Sequence, residues 1–337
     1  MKRSFYLTLL AISLNLMTTS CSSSKEKASL RKSAGETSQP ATIQFNADSA
    51  YHSIEQQVAF GPRVPNSAAH IACGDYIVNK LKSYKAEVIE QKMTVNAYDG
   101  TPLKARNIIA SFQQENNNRI LLFAHWDTRP YADADADKKN WQTPIDGAND
   151  GGSGVGVLLE LARLLKDNKS AIGVDIIFFD AEDYGTPEWL EKDEEETTNT
   201  WCLGTQYWTK HPHKPGYKAS YGILLDMVGG LNATFRKEQV SMHFASYVVN
   251  QVWEKASKSG YSSYFPQSEG GAITDDHLYV NQGARIPSID IIDYDPIRKN
   301  GFPDTWHTLD DTMNNISKET LKAVGQTLAN ILFENNK

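Results

Sequence analysis

The sequence predicts an α/β fold, with a sheet covered by helices on both faces. Two observations carry that prediction. Short apolar runs recur along the chain: "RILLFA" at 119–124, "AIGVDIIFF" at 171–179, "SYGILL" at 220–225 and "IPSIDII" at 286–292. Segments with helical periodicity alternate with them. Runs that are apolar throughout belong to strands buried on both sides, as a helix layer on each face of a sheet requires.

In chain order, residues 50–60 and 68–84 have helical spacing, and 86–95 and 105–112 read as strands. After the run at 119–124, residues 154–165 predict a helix, with Val155, Leu158, Leu159, Ala162 and Leu165 on one face. Residues 246–260 form a helix that stops at a glycine, and 317–334 form the last, with Ser317 as its N-cap. No internal repeat is present, and the acidic segment "EKDEEETTNT" at 191–200 reads as a solvated loop.

The 337 residues, 40% hydrophobic and 22% charged, suit one large domain, or at most two. A net charge of −7 provides no basic surface, so nucleic acid is not an expected partner. The N-terminus differs from the rest. Lys2 and Arg3 precede the apolar stretch "SFYLTLLAISLNLM", and "TTSC" follows. Residues 1–20 read as a signal peptide rather than a transmembrane helix. Cys21, directly after small residues, resembles the lipidated cysteine of a bacterial lipoprotein, although Thr18 stands where leucine is usual. The expectation is an exported, periplasmic lipoprotein anchored to the membrane only through Cys21; a plain secretory peptide is the alternative. Residues 21–42, polar and rich in Ser and Lys, read as a disordered tether, and 43–337 as a single catalytic domain. Cys73 and Cys202 would form either a disulfide or two buried thiols.

In an open α/β sheet the active site lies beyond the carboxyl ends of the strands. "HWDTRP" follows the run at 119–124 and brings His125 and Asp127. "DAEDYG" follows the run at 171–179 and brings Asp180, Glu182 and Asp183. Asp226 follows the run at 220–225, and His307 in "TWHT" follows the strand at 286–292 and a loop. Asp150 lies in the glycine-rich "DGANDGGSG". An acid after a strand is an ordinary turn residue. Five such groups at one edge would repel one another unless a divalent cation held them, and mixed His and carboxylate ligands suit catalytic zinc. His52, His70, His211, His213 and His243 lie away from strand ends and read as surface or capping groups; Trp126 reads as core packing.

The motifs "HWD", "GANDGGSGVGVLLELAR", "FFDAEDYG", "LLDMVGG" and "WHT", with "TDDH" at 274–277, resemble the zinc aminopeptidase family M28, and most of all its glutaminyl cyclase branch. The resemblance covers about residues 50–335. It implies a central mixed, mostly parallel sheet flanked by helices, a three-layer architecture of the α/β-hydrolase type. It implies one zinc on Asp150, Asp183 and His307, with Glu182 as general acid/base. Asp275 and Asp226 match the cyclase's hydrogen-bonded acid pair, and Trp189, Phe302 and Trp306 match its aromatic pocket. The loop before Trp189 is one residue longer than in the animal enzymes, which also carry glutamate where Asp183 stands. Their disulfide near the zinc turn has no counterpart, since Ala124 and Val155 stand there.

The resemblance thus implies a monomeric zinc-dependent glutaminyl-peptide cyclotransferase. Its substrates would be peptides and proteins with N-terminal glutamine, converted to pyroglutamate with release of ammonia. The alternative within the family is a two-zinc aminopeptidase, with His125 as a further ligand. A non-catalytic binding module is a second alternative, against which the complete set of acids argues.

Overall fold

The chain is described by a computed structural model over residues 43–190 and 199–333. The expected signal peptide, Cys21, the tether through residue 42 and nearly all of the acidic loop lie outside the described residues. Among the described residues, six strands form one sheet: β1 (Glu87–Asn96), β2 (Pro102–Phe112), β3 (Arg119–His125), β4 (Gly173–Phe179), β5 (Gly222–Asp226) and β6 (Ser288–Ile292). Their order is β1-β2-β4-β3-β5-β6. β1, β2 and β4 pair antiparallel, while β4, β3, β5 and β6 are parallel neighbours. The expected mixed, mostly parallel sheet is therefore present.

Seven α-helices accompany it among the described residues: α1 (Ala47–Val58), α2 (Ala68–Ser83), α3 (Gly152–Asp167), α4 (Leu203–Lys210), α5 (Gln239–Lys258), α6 (Asp276–Tyr279) and α7 (Lys318–Phe333). Alternate side chains of a strand point to opposite faces, so each strand feeds two cores. Leu122, Ala124, Ile176, Phe178, Ile223 and Ile289 join a large core with residues of α1, α2, α3, α5 and α7. Leu121, Phe123, Ile177, Phe179 and Leu224 form a thinner one with Trp208 of α4, Val280 and Ile286. Full burial of β4 on both faces explains its unbroken apolar sequence.

Local chemistry sets the helix ends. Ser317 Oγ accepts from Thr320 N at 3.1 Å and caps α7 as expected. Asn46 and Ser67 cap α1 and α2 the same way. α3 lies close on the sheet because Gly154 has no side chain; a Cβ there would come within 2.3 Å of the Leu225 carbonyl oxygen. The helix expected from 246 begins at Gln239, with non-helical backbone at Ala245, so the expected start coincides with that break. α4 and α6 were not anticipated; both are short, and α6 runs straight into a wide turn of π-helix at Val280–Ala284. Cys73 and Cys202 are separate buried thiols.

Candidate active site

The four parallel strands end at the same edge of the sheet. β4 and β5 lie on opposite sides of β3, so a crevice opens beyond the end of β3, where connections leave in opposite directions. His125 ends β3, Asp226 ends β5, and Asp180 follows β4. The glycine turn before α3 adds Asp150, and the loop after β6 adds His307.

Asp150, Asp183 and His307 bring one ligand atom each to within 4.8 Å of one another, all buried. His307 Nε2 stands 3.2 Å from Asp183 Oδ1 and 3.5 Å from Asp150 Oδ2. Neither oxygen of Asp183 has a hydrogen-bond partner among the described residues. Burial and the adjacent Asp150 push the Asp183 carboxyl well above its usual range, while burial and the Arg129 guanidinium hold the His307 imidazole down at about 3, hence neutral. Two carboxylates, one with both oxygens orphaned, and a neutral imidazole fit a zinc ion with an open coordination position.

The supports of this cup come from distant parts of the chain. Asp127 accepts from the backbone N–H groups of Glu182 and Asp183, at 3.1 Å each. From the other side, the N–H groups of Cys202, Leu203 and Gly204 at the start of α4 donate to the carbonyls of Glu182, Ala181 and Asp180. A Cβ at Gly204 would meet the Asp180 carbonyl oxygen at 2.1 Å, so only glycine permits this clamp. Asp311 accepts from Asn149 N and Asp150 N at 2.8 and 3.0 Å and fixes the glycine turn. Its neighbour Asp310 is exposed. His70 is not a surface group: it is buried, stacks on Trp126 at 4.3 Å, and lies 2.8 Å from Asp180 Oδ1. Trp126 is core packing as expected, donating to Arg106 O.

A cavity of about 350 Å³ opens over the cup, and Asp150, Glu182, Asp183, Asp226, Asp275 and His307 reach into it. Its walls include Trp201, Phe302 and Trp306. Phe302 stacks on Trp306 at 4.4 Å, and Trp306 on His307 at 3.7 Å. Trp189, expected in this wall, is not among the lining residues; it packs on Tyr131 and Trp141, and Trp201 stands in the wall. Burial pushes the Glu182 carboxyl well above its usual range, with Asp275 and Asp183 adding to the shift. One of its oxygens accepts from the Cys202 thiol at 3.1 Å.

A second group shares Asp150. His125 Nε2 lies 3.1 Å from Asp150 Oδ1 and 3.3 Å from Asp226 Oδ1, which also satisfies the ligand spacing of a metal site. Burial pushes Asp226 up to about 6, and burial with Asp226 pushes Asp275 up to about 7. Behind Asp275, Asp290 and His277 are fully buried, and His277 Nε2 lies 3.2 Å from Glu238 Oε2.

The chain as a whole is similar to known proteins. A zinc-dependent exopeptidase from Parabacteroides distasonis is 59% identical, with 88% of this chain and 100% of that chain covered at a TM-score of 0.85. A glutaminyl cyclase from Bacteroides thetaiotaomicron, solved with N-acetylhistamine, is 54% identical with the same coverage and TM-score. Aminopeptidase YwaD of Bacillus subtilis is 26% identical over 281 residues, which are 81% of this chain but only 54% of the aminopeptidase. The family model for peptidase family M28 matches residues 107–332. With its acids and histidines gathered at the strand ends that this match spans, the chain belongs to peptidase family M28.

Proposed function

We propose that the chain is a zinc-dependent glutaminyl-peptide cyclotransferase, which closes N-terminal glutamine of peptides and proteins to pyroglutamate and releases ammonia. The observation that carries this reading is the cavity itself. It is small, walled by Trp201, Phe302 and Trp306, and floored by acids, a shape suited to one compact side chain rather than to an extended peptide. The identity to the Bacteroides thetaiotaomicron glutaminyl cyclase supports it.

Asp150, Asp183 and His307 would hold one zinc ion, which when bound supplies Lewis-acid polarisation of the γ-amide carbonyl. The aromatic walls hold the glutamine side chain folded, with its α-amine beside the side-chain amide carbonyl carbon, and exclude water. Glu182 takes a proton from the α-amine as its nitrogen bonds to the carbonyl carbon of the side-chain amide. It returns that proton to the amide nitrogen as the C–N bond breaks and ammonia leaves. Its burial suits both steps, because a carboxyl raised toward neutrality can accept and donate. Asp275 accepts a hydrogen bond from the departing nitrogen, and the charge of Asp226 raises its affinity for a proton.

The second reading is a two-zinc aminopeptidase, favoured by the complete second group of His125, Asp150 and Asp226. The deciding measurement supplies Gln-initiated and Leu-initiated peptides to the purified chain with a zinc count. Ammonia from the first and no free amino acid from the second is expected; free leucine with two zincs per chain would establish the peptidase.

The setting is likewise a proposal: a monomeric lipoprotein, exported and anchored through Cys21. The basic start, apolar core and "TTSC" support it. No helix among the described residues is long and apolar enough to cross a membrane. Detergent partitioning that disappears in Cys21→Ala would test it.

A further inference from the structure

We propose that Arg129 and Asp133 act as one positioning pair that presents His307 to the metal through Nε2 and sets the Trp201 wall beside it. The inference rests on the zinc-binding reading above. Neither residue follows a strand directly, and neither touches the cavity. Both are buried, at 0% and 2% exposure.

The geometry forms a continuous chain of contacts. Arg129 grips Asp133 with two parallel bonds, Nε to Oδ1 at 2.6 Å and Nη2 to Oδ2 at 2.5 Å. Such a fork fixes the plane of a carboxylate, which a lysine cannot do. The Glu188 backbone N–H also donates to Oδ2, at 2.9 Å. Held in this way, Asp133 Oδ1 faces His307 Nδ1 at 3.6 Å. That ring nitrogen has no hydrogen bond among the described residues. A carboxylate facing Nδ1 favours the tautomer with its proton there and leaves the Nε2 lone pair for a metal. Nε2 is the atom that faces Asp150 and Asp183.

The same segment holds the backbone of the ligand. Ala134 N donates to His307 O at 3.1 Å, and His307 has a left-handed φ of 52° that a side-chain-bearing residue rarely adopts. A ligand in that conformation needs an external restraint, and residues 133 and 134 restrain its ring and its carbonyl together. Arg129 reaches the other ligand too: Nη1 donates to the Asp183 carbonyl at 3.1 Å. Finally, its guanidinium lies 4.7 Å from the Trp201 ring, which is nearly parallel to His307 at 8° and 6.1 Å. One buried cation thus ties two ligands and one wall of the cavity.

The test is zinc affinity of the full chain, measured by competition with a chromogenic chelator, together with the visible spectrum of the cobalt-substituted protein. Asp133→Asn turns an amide toward Nδ1 and should weaken zinc binding by about 10- to 100-fold and shift the cobalt spectrum. Arg129→Lys keeps the charge, loses the fork, and should weaken zinc in the same direction while raising KM through the unsupported Trp201. It also provides the test if Asp133→Asn does not fold. Zinc affinity and cobalt spectrum equal to the parent's in a folded variant would overturn the pairing while leaving the zinc reading intact. A parent chain that binds no zinc overturns both.

Discussion

Two overlapping cups meet at Asp150, and they are built differently. On one side, Asp183 and His307 face a common point with unpaired carboxylate oxygens and a neutral ring. On the other, His125 lies within hydrogen-bonding reach of both Asp150 and Asp226. Although burial opposes it, the carboxylates of Asp127, Asp150 and Asp226 hold the His125 imidazole well above its usual range. The second cup is bridged by its own histidine, whereas the first leaves both Asp183 oxygens without a hydrogen-bond donor, with Arg129 Nη1 3.6 Å from Oδ1. The lesson is that a complete ligand list is not the same as a demand for metal. Unsatisfied oxygens carry that demand, since a buried carboxylate without a partner is costly.

The largest expected effect separates the cups directly. His307→Ala should abolish stoichiometric zinc binding and turnover, whereas His125→Ala should leave one zinc per chain by atomic absorption. A parent with two zincs that falls to one in His125→Ala would erase the contrast. Next in size, Glu182→Gln should keep its zinc and lose turnover by on the order of 10²- to 10⁴-fold in an ammonia-release assay. Full activity would remove Glu182 from the mechanism.

Acidity offers a third comparison, between zinc-free and zinc-loaded chains. Asp226 and Asp275 sit at about 6 and about 7 in the folded state, above the ordinary aspartate value near 3.9. Between roughly pH 4 and 7 the folded, zinc-free chain holds more protons than the unfolded one, so its stability falls as pH rises through that window. Zinc competes with protons for the shared cluster. The Tm gap between loaded and zinc-free protein should therefore widen from pH 5 to 8; a gap that narrows would contradict the cluster's proposed charge balance. The smallest effects concern the walls. Trp201→Ala should raise KM about tenfold, the loss of roughly 1.4 kcal/mol of aromatic contact, while Trp189→Ala should change it less than about twofold.

Much of the site was legible because strand ends are marked in the sequence. An apolar run that stops at a polar residue places that residue at the sheet edge, so His125, Asp180 and Asp226 could be located without coordinates. Asp150 was marked by its glycines and His307 by its motif. What escaped shared one property, dependence on a partner far along the chain. His70 stands in an ordinary helical stretch, and nothing near it announces Asp180, which lies 110 residues away. Trp201 follows an acidic stretch, while Trp189 had the nearer spacing to Asp183, and only the folded positions of the two rings separate them. Asp133 lies in the repetitive "YADADAD" and looks like any solvated acid until Arg129 closes on it.

The sequence by itself determined the layered α/β fold, the edge at which chemistry gathers and the residue types collected there. These follow from periodicity and from where apolar runs end, both local properties of the chain. Tertiary structure alone decided which acids are neutralised by a histidine and which are left open to a metal, which tryptophan walls the cavity, and what restrains His307. Those outcomes depend on distances of a few ångströms between segments far apart in sequence, where burial removes water and makes each missing partner count.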